Sequence, residues 1–308
     1  MQDQNSANQK PCVFIQTNPR QMLGAVVSEY SLRRNSTNAD KFEIKIMHTQ
    51  DFDYLKQREG QFYLRDGDRR AWLIDDLQSF TPLRFQPPEL MGYQGKAAVI
   101  DPDVFAVGDV WELLSRDMED YALMCRPKSG NKGKRGCLAS SVMLLDCGKL
   151  KHWRVAEQFD EMFEFKRDYM DWVCLHDEDR DRVGLFENHW NDFDNLDDQT
   201  RLIHNTKRKT QPWKTGLPVD FRPADTFRLF PPRHWGRRVR RALFGDYRFT
   251  GRYKRHPDPR QEQFFFGLLK ECLEKGVVTE AMLREEMGRN HIRHDAMDVL
   301  DRVPGLPA

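Results

Sequence analysis

Short apolar runs and amphipathic stretches alternate along the first two thirds of the chain. Cys12-Val13-Phe14-Ile15 stops abruptly at Gln16-Thr17-Asn18-Pro19, as a buried strand does when it leaves into a loop. From Gln21 to Arg34, Met22, Leu23, Val26, Val27, Tyr30 and Leu32 recur at helical spacing, which predicts a helix with one core face. Phe42 to Met47 alternates as a second strand. This β-α-β opening argues for a parallel sheet with helices on its faces. Residues 51–79 are polar and carry no clear period. The proline-rich stretch Phe80 to Leu90 reads as a turn ending in a short helix before Gly92.

Further strands are expected at Ala97–Ile100, Tyr121–Cys125 and Ser141–Asp146, with helices at Asp109–Leu114, where Asp109 is the N-cap, and at Lys149–Lys166. Tyr169 to Leu175 leads into an acidic stretch. Beyond Asp220 the pattern dissolves into Arg, Pro and aromatic residues, and helices return at Arg260–Lys275 and Thr279–Met287. The expected organisation is a loose tail over 1–10, an α/β domain over 11–225 and a basic, partly helical extension over 226–308.

Composition narrows the classes. Among 308 residues, 39% are hydrophobic and seven are Trp, enough for a packed core, so intrinsic disorder is excluded. The net charge of +1 conceals segregation: residues 155–198 are dominated by Asp and Glu, and residues 201–260 by Arg and Lys. Six Cys show no CxxC pair, and most sit in apolar runs; they read as reduced core residues, consistent with a cytoplasmic protein. Met1 to Lys10 lacks the apolar segment of a signal peptide, and no run is long enough to span a membrane.

The candidate chemistry centres on Lys96-Ala97-Ala98-Val99-Ile100-Asp101-Pro102-Asp103. An apolar strand must end where ionised carboxylates begin, and two carboxylates at a sheet rim suit a hard divalent cation carrying phosphate oxygens. A solvated Asp-Pro-Asp turn is the competing reading. Arg84, set among Phe, Pro and Leu, calls for an anionic partner, either a ligand phosphate or an internal carboxylate. The segment Arg233 to Phe244 interleaves Arg with apolar residues. Its Arg237, Arg238, Arg240 and Arg241 suit an anionic membrane surface, or else the chain's own acidic stretch. The neutral net charge and the lack of an aromatic RNA-binding signature disfavour nucleic acid.

Taken in order, these segments resemble glycosyltransferases of the GT-A fold, in particular family eight and its bacterial relatives. The resemblance covers roughly residues 11–220. It is carried by Phe14-Ile15-Gln16-Thr17-Asn18-Pro19-Arg20, by Phe80-Thr81-Pro82-Leu83-Arg84-Phe85, by Asp101-Pro102-Asp103 as a DxD motif, and by Ser140 to Asp146. A last segment, His204-Asn205-Thr206-Lys207-Arg208-Lys209-Thr210-Gln211-Pro212-Trp213-Lys214, looks like the family's His…Lys-Pro-Trp element. Here the His-to-Pro spacing is one residue longer, Lys207 replaces a glycine, and Ala139-Ser140-Ser141 stands where relatives carry Asn-Ser-Gly.

The resemblance implies a Rossmann-like, mostly parallel GT-A sheet flanked by helices. It also implies retaining transfer of a sugar from a UDP- or GDP-sugar to a saccharide, lipid-linked or other small acceptor. Asp101, Asp103 and His204 would hold Mn2+ or Mg2+. Gln16, Thr17, Asn18, Arg20, Arg84, Lys207, Lys209 and Lys214 would contact the donor together with the two aspartates. Asp177 and Glu178, with Arg84, are the catalytic candidates, the two acids lying where relatives carry polar groups near the anomeric carbon. For the lysines, and for Asp177 and Glu178, a solvated charged face is the alternative. A non-catalytic module binding a nucleotide sugar or an anionic membrane from the cytoplasmic side is the alternative for the whole chain.

Overall fold

The computed structural model describes residues 9–128, 136–221 and 251–307. The opening is β1 (Cys12–Thr17), α1 (Met22–Arg34) and β2 (Glu43–His48). Residues 51–79, which lacked a period, contain a short helix α2 (Asp53–Gln57) and the hairpin β3 (Phe62–Arg65) and β4 (Asp68–Ala71). Then come α3 (Pro87–Leu90), β5 (Lys96–Ile100), β6 (Val104–Ala106), α4 (Trp111–Leu114), β7 (Leu123–Pro127) and β8 (Leu138–Asp146). Helices α5 (Val155–Phe163) and α6 (Tyr169–Val173) precede β9 (Val183–Leu185), β10 (Asp192–Phe193) and β11 (Leu202–His204). The chain closes with α7 (Pro259–Glu274), α8 (Glu280–Gly288) and α9 (Ala296–Arg302).

Six strands form the central sheet in the order β2-β1-β5-β8-β7-β9. β1 runs parallel to β2 and β5, and β7 parallel to β9, while β8 runs antiparallel to both of its neighbours. This is the expected α/β sheet with most pairings parallel, and β8 makes it mixed. β5 and β8 are apolar on both faces because helices and loops cover both sides, which is why they read as continuous runs rather than alternations. The helix expected over Lys149–Lys166 begins only at Val155, after the turn at Cys147–Lys149 in which Asp146 accepts a bond from the Gly148 amide at 3.1 Å. The helix expected over Asp109–Leu114 begins at Trp111 with Val110, not Asp109, at its N-cap, and Asp109 instead holds the turn before it, accepting from the Trp111 amide at 2.9 Å; Thr279 caps α8.

α1 is buried on two sides. Ala25 and Leu32 belong to the core built on the sheet, whereas Leu23, Val27 and Tyr30 join Phe265, Phe266, Leu269 and Cys272 of α7 in a second core. A single-face reading of α1 therefore captures only part of its packing. The second core reaches β6 and the 212–214 turn, where the Phe265 ring packs against Phe105 and Trp213 with centroids 5.4 and 4.7 Å away. Trp213 is thus a core residue. Phe265→Ala would open a cavity between the C-terminal helices and the strand behind Asp103. It is expected to lower stability by about 3 to 5 kcal/mol in urea unfolding.

Candidate active site

The register of β1 on β5 pairs Ile15 with Ile100, so the chains leave the sheet side by side at Gln16 and Asp101. Ligands of open α/β sheets sit outside the carboxyl ends of the strands, and this is such an end. After Asp101 the chain turns through Pro102, and the Val104 amide bonds back to the Asp101 carbonyl at 3.1 Å. α1 clamps the turn. Ser28 Oγ donates to the Val104 carbonyl at 2.6 Å, and Ser31 Oγ accepts from the Ala106 amide at 2.8 Å. A Cβ on Gly24 would lie 2.7 Å from the Pro102 carbonyl oxygen, so only glycine allows α1 this close to the Asp-Pro-Asp turn.

β6 pairs antiparallel with β11, placing His204 opposite Val104, and the Asn205 amide donates to the Asp103 carbonyl at 3.1 Å. His204 Nε2 is thereby held 3.3 Å from Asp103 Oδ1 and 3.9 Å from Asp101 Oδ2. On its other side His204 Nδ1 is 2.8 Å from Asn191 Oδ1, and Asn191 Nδ2 donates to Ser141 Oγ at 3.1 Å. With Nδ1–H given to Asn191, the Nε2 lone pair faces the two carboxylates, the orientation a metal-ligating imidazole takes. Asp103 Oδ1 is buried without a hydrogen-bond partner, while its Oδ2 accepts from Gln211 Nε2 at 2.9 Å.

One ligand atom from each of Asp101, Asp103 and His204 lies within 4.8 Å of the others. Ligands at ~2.1 Å in octahedral geometry are roughly 3 to 4.2 Å apart, and the 3.3 and 3.9 Å separations of His204 Nε2 from the two carboxylates fall in that span, so these three groups could share one divalent cation. The unpartnered Asp103 oxygen is the direct structural reason for reading it so.

Asp101 is the most heavily bonded member. Gln16 Nε2 donates to its Oδ1, and Arg84 forks onto it, Nε to Oδ1 at 2.9 Å and Nη2 to Oδ2. Burial pushes the Asp101 carboxyl above the usual carboxylate range, opposed by Arg84 and His204. For Arg84, burial disfavours the charge, but Asp101 outweighs it and holds the guanidinium pKa above its ordinary value.

Asp101, Asp103, His204 and Arg84 border one cavity of about 390 Å³. The other sequence candidates do not line it. Asn18 spends its amide on the Asp76 and Leu77 carbonyls and Ser79 Oγ, and Thr17 Oγ1 donates to the Asn18 carbonyl. Arg20 pairs with Asp75 and Asp220. Lys214 is fully buried in an ion pair with Asp220 at 2.9 Å, an internal partner that a charge run in sequence does not reveal. Lys207 and Lys209 are exposed, and Arg208 between them faces the cavity, because adjacent residues of a tight turn point apart. Asp177 pairs with Arg167, and Glu178 accepts from Trp153 Nε1 at 2.7 Å and faces His152; both acids line a different cleft. The segment holding Arg237, Arg238, Arg240 and Arg241 lies outside the described residues, within which no helix is long and apolar enough to cross a membrane.

The reading of all six cysteines as reduced is corrected. Cys137, at the start of β8, is disulfide-bonded to Cys174 at the end of α6, and both border the cavity. The two segments, 37 residues apart, meet where the Leu138 amide donates to the Cys174 carbonyl, so no local spacing could announce the pair. The disulfide removes the redox argument for a reducing compartment. Cys12, Cys125, Cys147 and Cys272 are buried thiols, pushed up to about 12 by desolvation.

Sequence reasoning also missed Asn191, Gln211, Lys128 and Arg208. Gln211 occupies the place of the lysine in the family's Lys-Pro-Trp element, which was its one available signal; Asn191 had none.

No protein-family model matches the chain, and no curated protein matches it. Among solved structures, the chain is similar to the bifunctional glycosyltransferase WbbM in its apo form, with TM-score 0.47 and 12% identity over 68% of this chain and 47% of that one. It is similar to the glycosyltransferase GlyE of Streptococcus pneumoniae TIGR4, with TM-score 0.49 and 15% identity over 88% of this chain and 64% of that one. It is also similar to the galactosyltransferase LgtC in complex with donor and acceptor sugar analogues, with TM-score 0.47 and 12% identity over 66% of this chain and 89% of that one. The matched region thus spans about half of the WbbM chain.

The disulfide closes a loop whose ends are 37 positions apart. Removing it with the double variant Cys137→Ser, Cys174→Ser is expected to cost roughly 2 to 4 kcal/mol in urea unfolding without reductant. Dithiothreitol should lower the native protein's midpoint similarly and leave the double variant unmoved.

Proposed function

We propose that this chain is a divalent-cation-dependent glycosyltransferase that takes its sugar from a nucleoside-diphosphate donor. The observation that carries this reading is the convergence of Asp101, Asp103 and the His204 Nε2 lone pair at the carboxyl end of β5, with Asp103 Oδ1 buried and unpartnered. Three such groups suit a cation that also accepts phosphate oxygens. The motif order of the sequence supports the same reading independently of this geometry.

When bound, Mn2+ or Mg2+ would offset the negative charge that develops on the departing diphosphate. Asp101, Asp103 and His204 would hold it, while Asn191 orients His204 and Gln211 orients Asp103. Arg208 and Lys128 border the same cavity and would face the phosphates. In the transfer, the bond from the anomeric carbon to the diphosphate oxygen breaks with its electron pair on that oxygen. The acceptor hydroxyl oxygen forms the new bond, and its proton passes to the departing diphosphate. Asp101 and Asp103 are the only carboxylates among the described lining residues, so no further acid stands ready as a base; this supports activation from the leaving-group side and retention of configuration.

The same shortage of carboxylates, with Asp177 and Glu178 in a separate cleft, is what favours the second reading, a nucleotide-sugar-binding module without turnover. In this proposal the chain divides near residue 225, and Arg237, Arg238, Arg240 and Arg241 beyond it meet an anionic membrane surface.

Thermal-shift titrations with UDP, GDP and their sugars, with and without Mn2+, decide first between a nucleotide site and none. Ligand at ~100 times Kd stabilises by ~2.7 kcal/mol, a visible shift. Asp103→Asn is expected to abolish the Mn2+-dependent part of the shift and to lower sugar transfer or donor hydrolysis at least ~100-fold. Full activity in that variant would defeat the proposal, and binding with no turnover of any donor would select the module.

A further inference from the structure

Among the described residues, the cavity holding Asp101 and Asp103 is lined by more positive side chains than negative ones: its carboxylates are those two, and its cations are Arg84, Lys128 and Arg208. Arg84 forks onto both oxygens of Asp101 and donates through Nη1 to Ser140 Oγ at 3.0 Å. One of the two candidate cation-binding carboxylates is therefore already matched by a guanidinium, itself enclosed, with 13% of its side chain exposed. Lys128 and Arg208 have no carboxylate partner among the described residues, and the Arg208 guanidinium rests over the Phe221 ring, 5.2 Å from its centroid.

Among the described residues, and leaving His204 out of the count, two negative and three positive groups give the cavity lining a formal charge of +1. The positive groups also feel one another. Burial and the neighbouring Arg84 and Arg208 draw the Lys128 pKa down, and burial with Arg65 does the same to Arg208. Such a cavity repels a bare dication and attracts an anion.

We infer that a bare divalent cation is held off from this cavity by Arg84, Lys128 and Arg208, and that the diphosphate of the donor must be present for the cation to bind well. The inference rests on the nucleoside-diphosphate reading above. The diphosphate reverses the sign of the cavity, after which Asp101, Asp103 and His204 can serve a dication. Coupling between two ligands is reciprocal, so the cation tightens the diphosphate by the same factor. Arg84 is a positioning residue here: it acts on the cation through Asp101 and through charge.

The test uses the full-length protein with Mn2+, UDP and GDP as probes. Bare Mn2+ affinity is read by electron paramagnetic resonance titration, and nucleotide affinity by calorimetry in EDTA and in saturating Mn2+. Wild-type protein is expected to bind bare Mn2+ weakly, to bind one nucleotide measurably in EDTA, and to show coupling between the two of about 10- to 100-fold. Arg208→Gln and Lys128→Gln, which break no side-chain hydrogen bond among the described residues, are each expected to tighten bare Mn2+ severalfold. The same variants should weaken the nucleotide in EDTA and shrink the coupling. Arg84→Met should do so more strongly, with circular dichroism confirming that it folds.

Bare Mn2+ binding as tight as in the presence of nucleotide would overturn the inference while leaving the donor reading intact. Unchanged or weaker Mn2+ binding in both the Arg208→Gln and Lys128→Gln variants would also overturn it. Failure of Mn2+, UDP and GDP to bind in any combination would overturn the donor reading and the inference with it.

Discussion

Two carboxylates buried at the end of one strand are the constraint on which the rest of the site depends. Asp101 and Asp103 expose only 6% and 11% of their side chains. Ionised groups removed from water need charge or hydrogen bonds in return, and one segment alone cannot supply them. The partners come from across the chain: Gln16 at the end of β1, Arg84 from the turn before α3, His204 from β11, and Gln211 from the turn that follows it. Each of these elements is placed where it is partly because the carboxylates must be answered there. The absence of a side chain on Gly24 belongs to the same requirement, since it lets α1 approach and grip the turn that carries them.

The requirement extends into the C-terminal helices. Gln261 of α7 accepts from Asn205 Nδ2 at 2.6 Å and donates to the Asp194 carbonyl at 2.9 Å, beside the segment that carries His204. Asn205 in turn holds the Asp103 carbonyl through its amide. These amides are almost completely enclosed, and a buried amide left unmatched would cost more than its bond contributes. Together with the second core on α1, they make the C-terminal helices a support for the cation-binding turn. The disulfide between Cys137 and Cys174 fixes the opposite wall, joining the start of β8 to the end of α6.

Much of the sheet was legible in the sequence because its strands are short, apolar and cut off by turn residues or charge. β1, β5 and β8 stop at Gln16, Asp101 and Asp146 or just beyond, where an apolar environment can no longer be maintained. The Asp-x-Asp pair and Arg84 stood out for a related reason, each being charged in a context that demands a partner, whereas His204 was singled out only by the resemblance. Polar residues whose partners lie elsewhere were misjudged. Lys214 reads as part of a solvated basic run and is the most deeply buried lysine of the site region, answered by Asp220. Asp177 and Glu178 read as site acids and are claimed by Arg167 and by Trp153 with His152. Helix α5 starts late because the Asp146 turn, a local hydrogen-bonding alternative, delays it.

The sequence by itself determined the β-α-β opening, the core strands β5, β7 and β8, the place where the central strand ends in charge, and the residue types able to bind a divalent cation. These follow from periodicity and from the cost of burying charge, both of which act over a few neighbouring residues. The tertiary structure alone decided which charges cancel, which way the His204 lone pair points, that Arg208 rather than Lys207 or Lys209 enters the cavity, and that two distant cysteines meet. Those outcomes depend on distances between segments many residues apart, and electrostatic and hydrogen-bond energies are set by such distances, which no local pattern in the chain encodes.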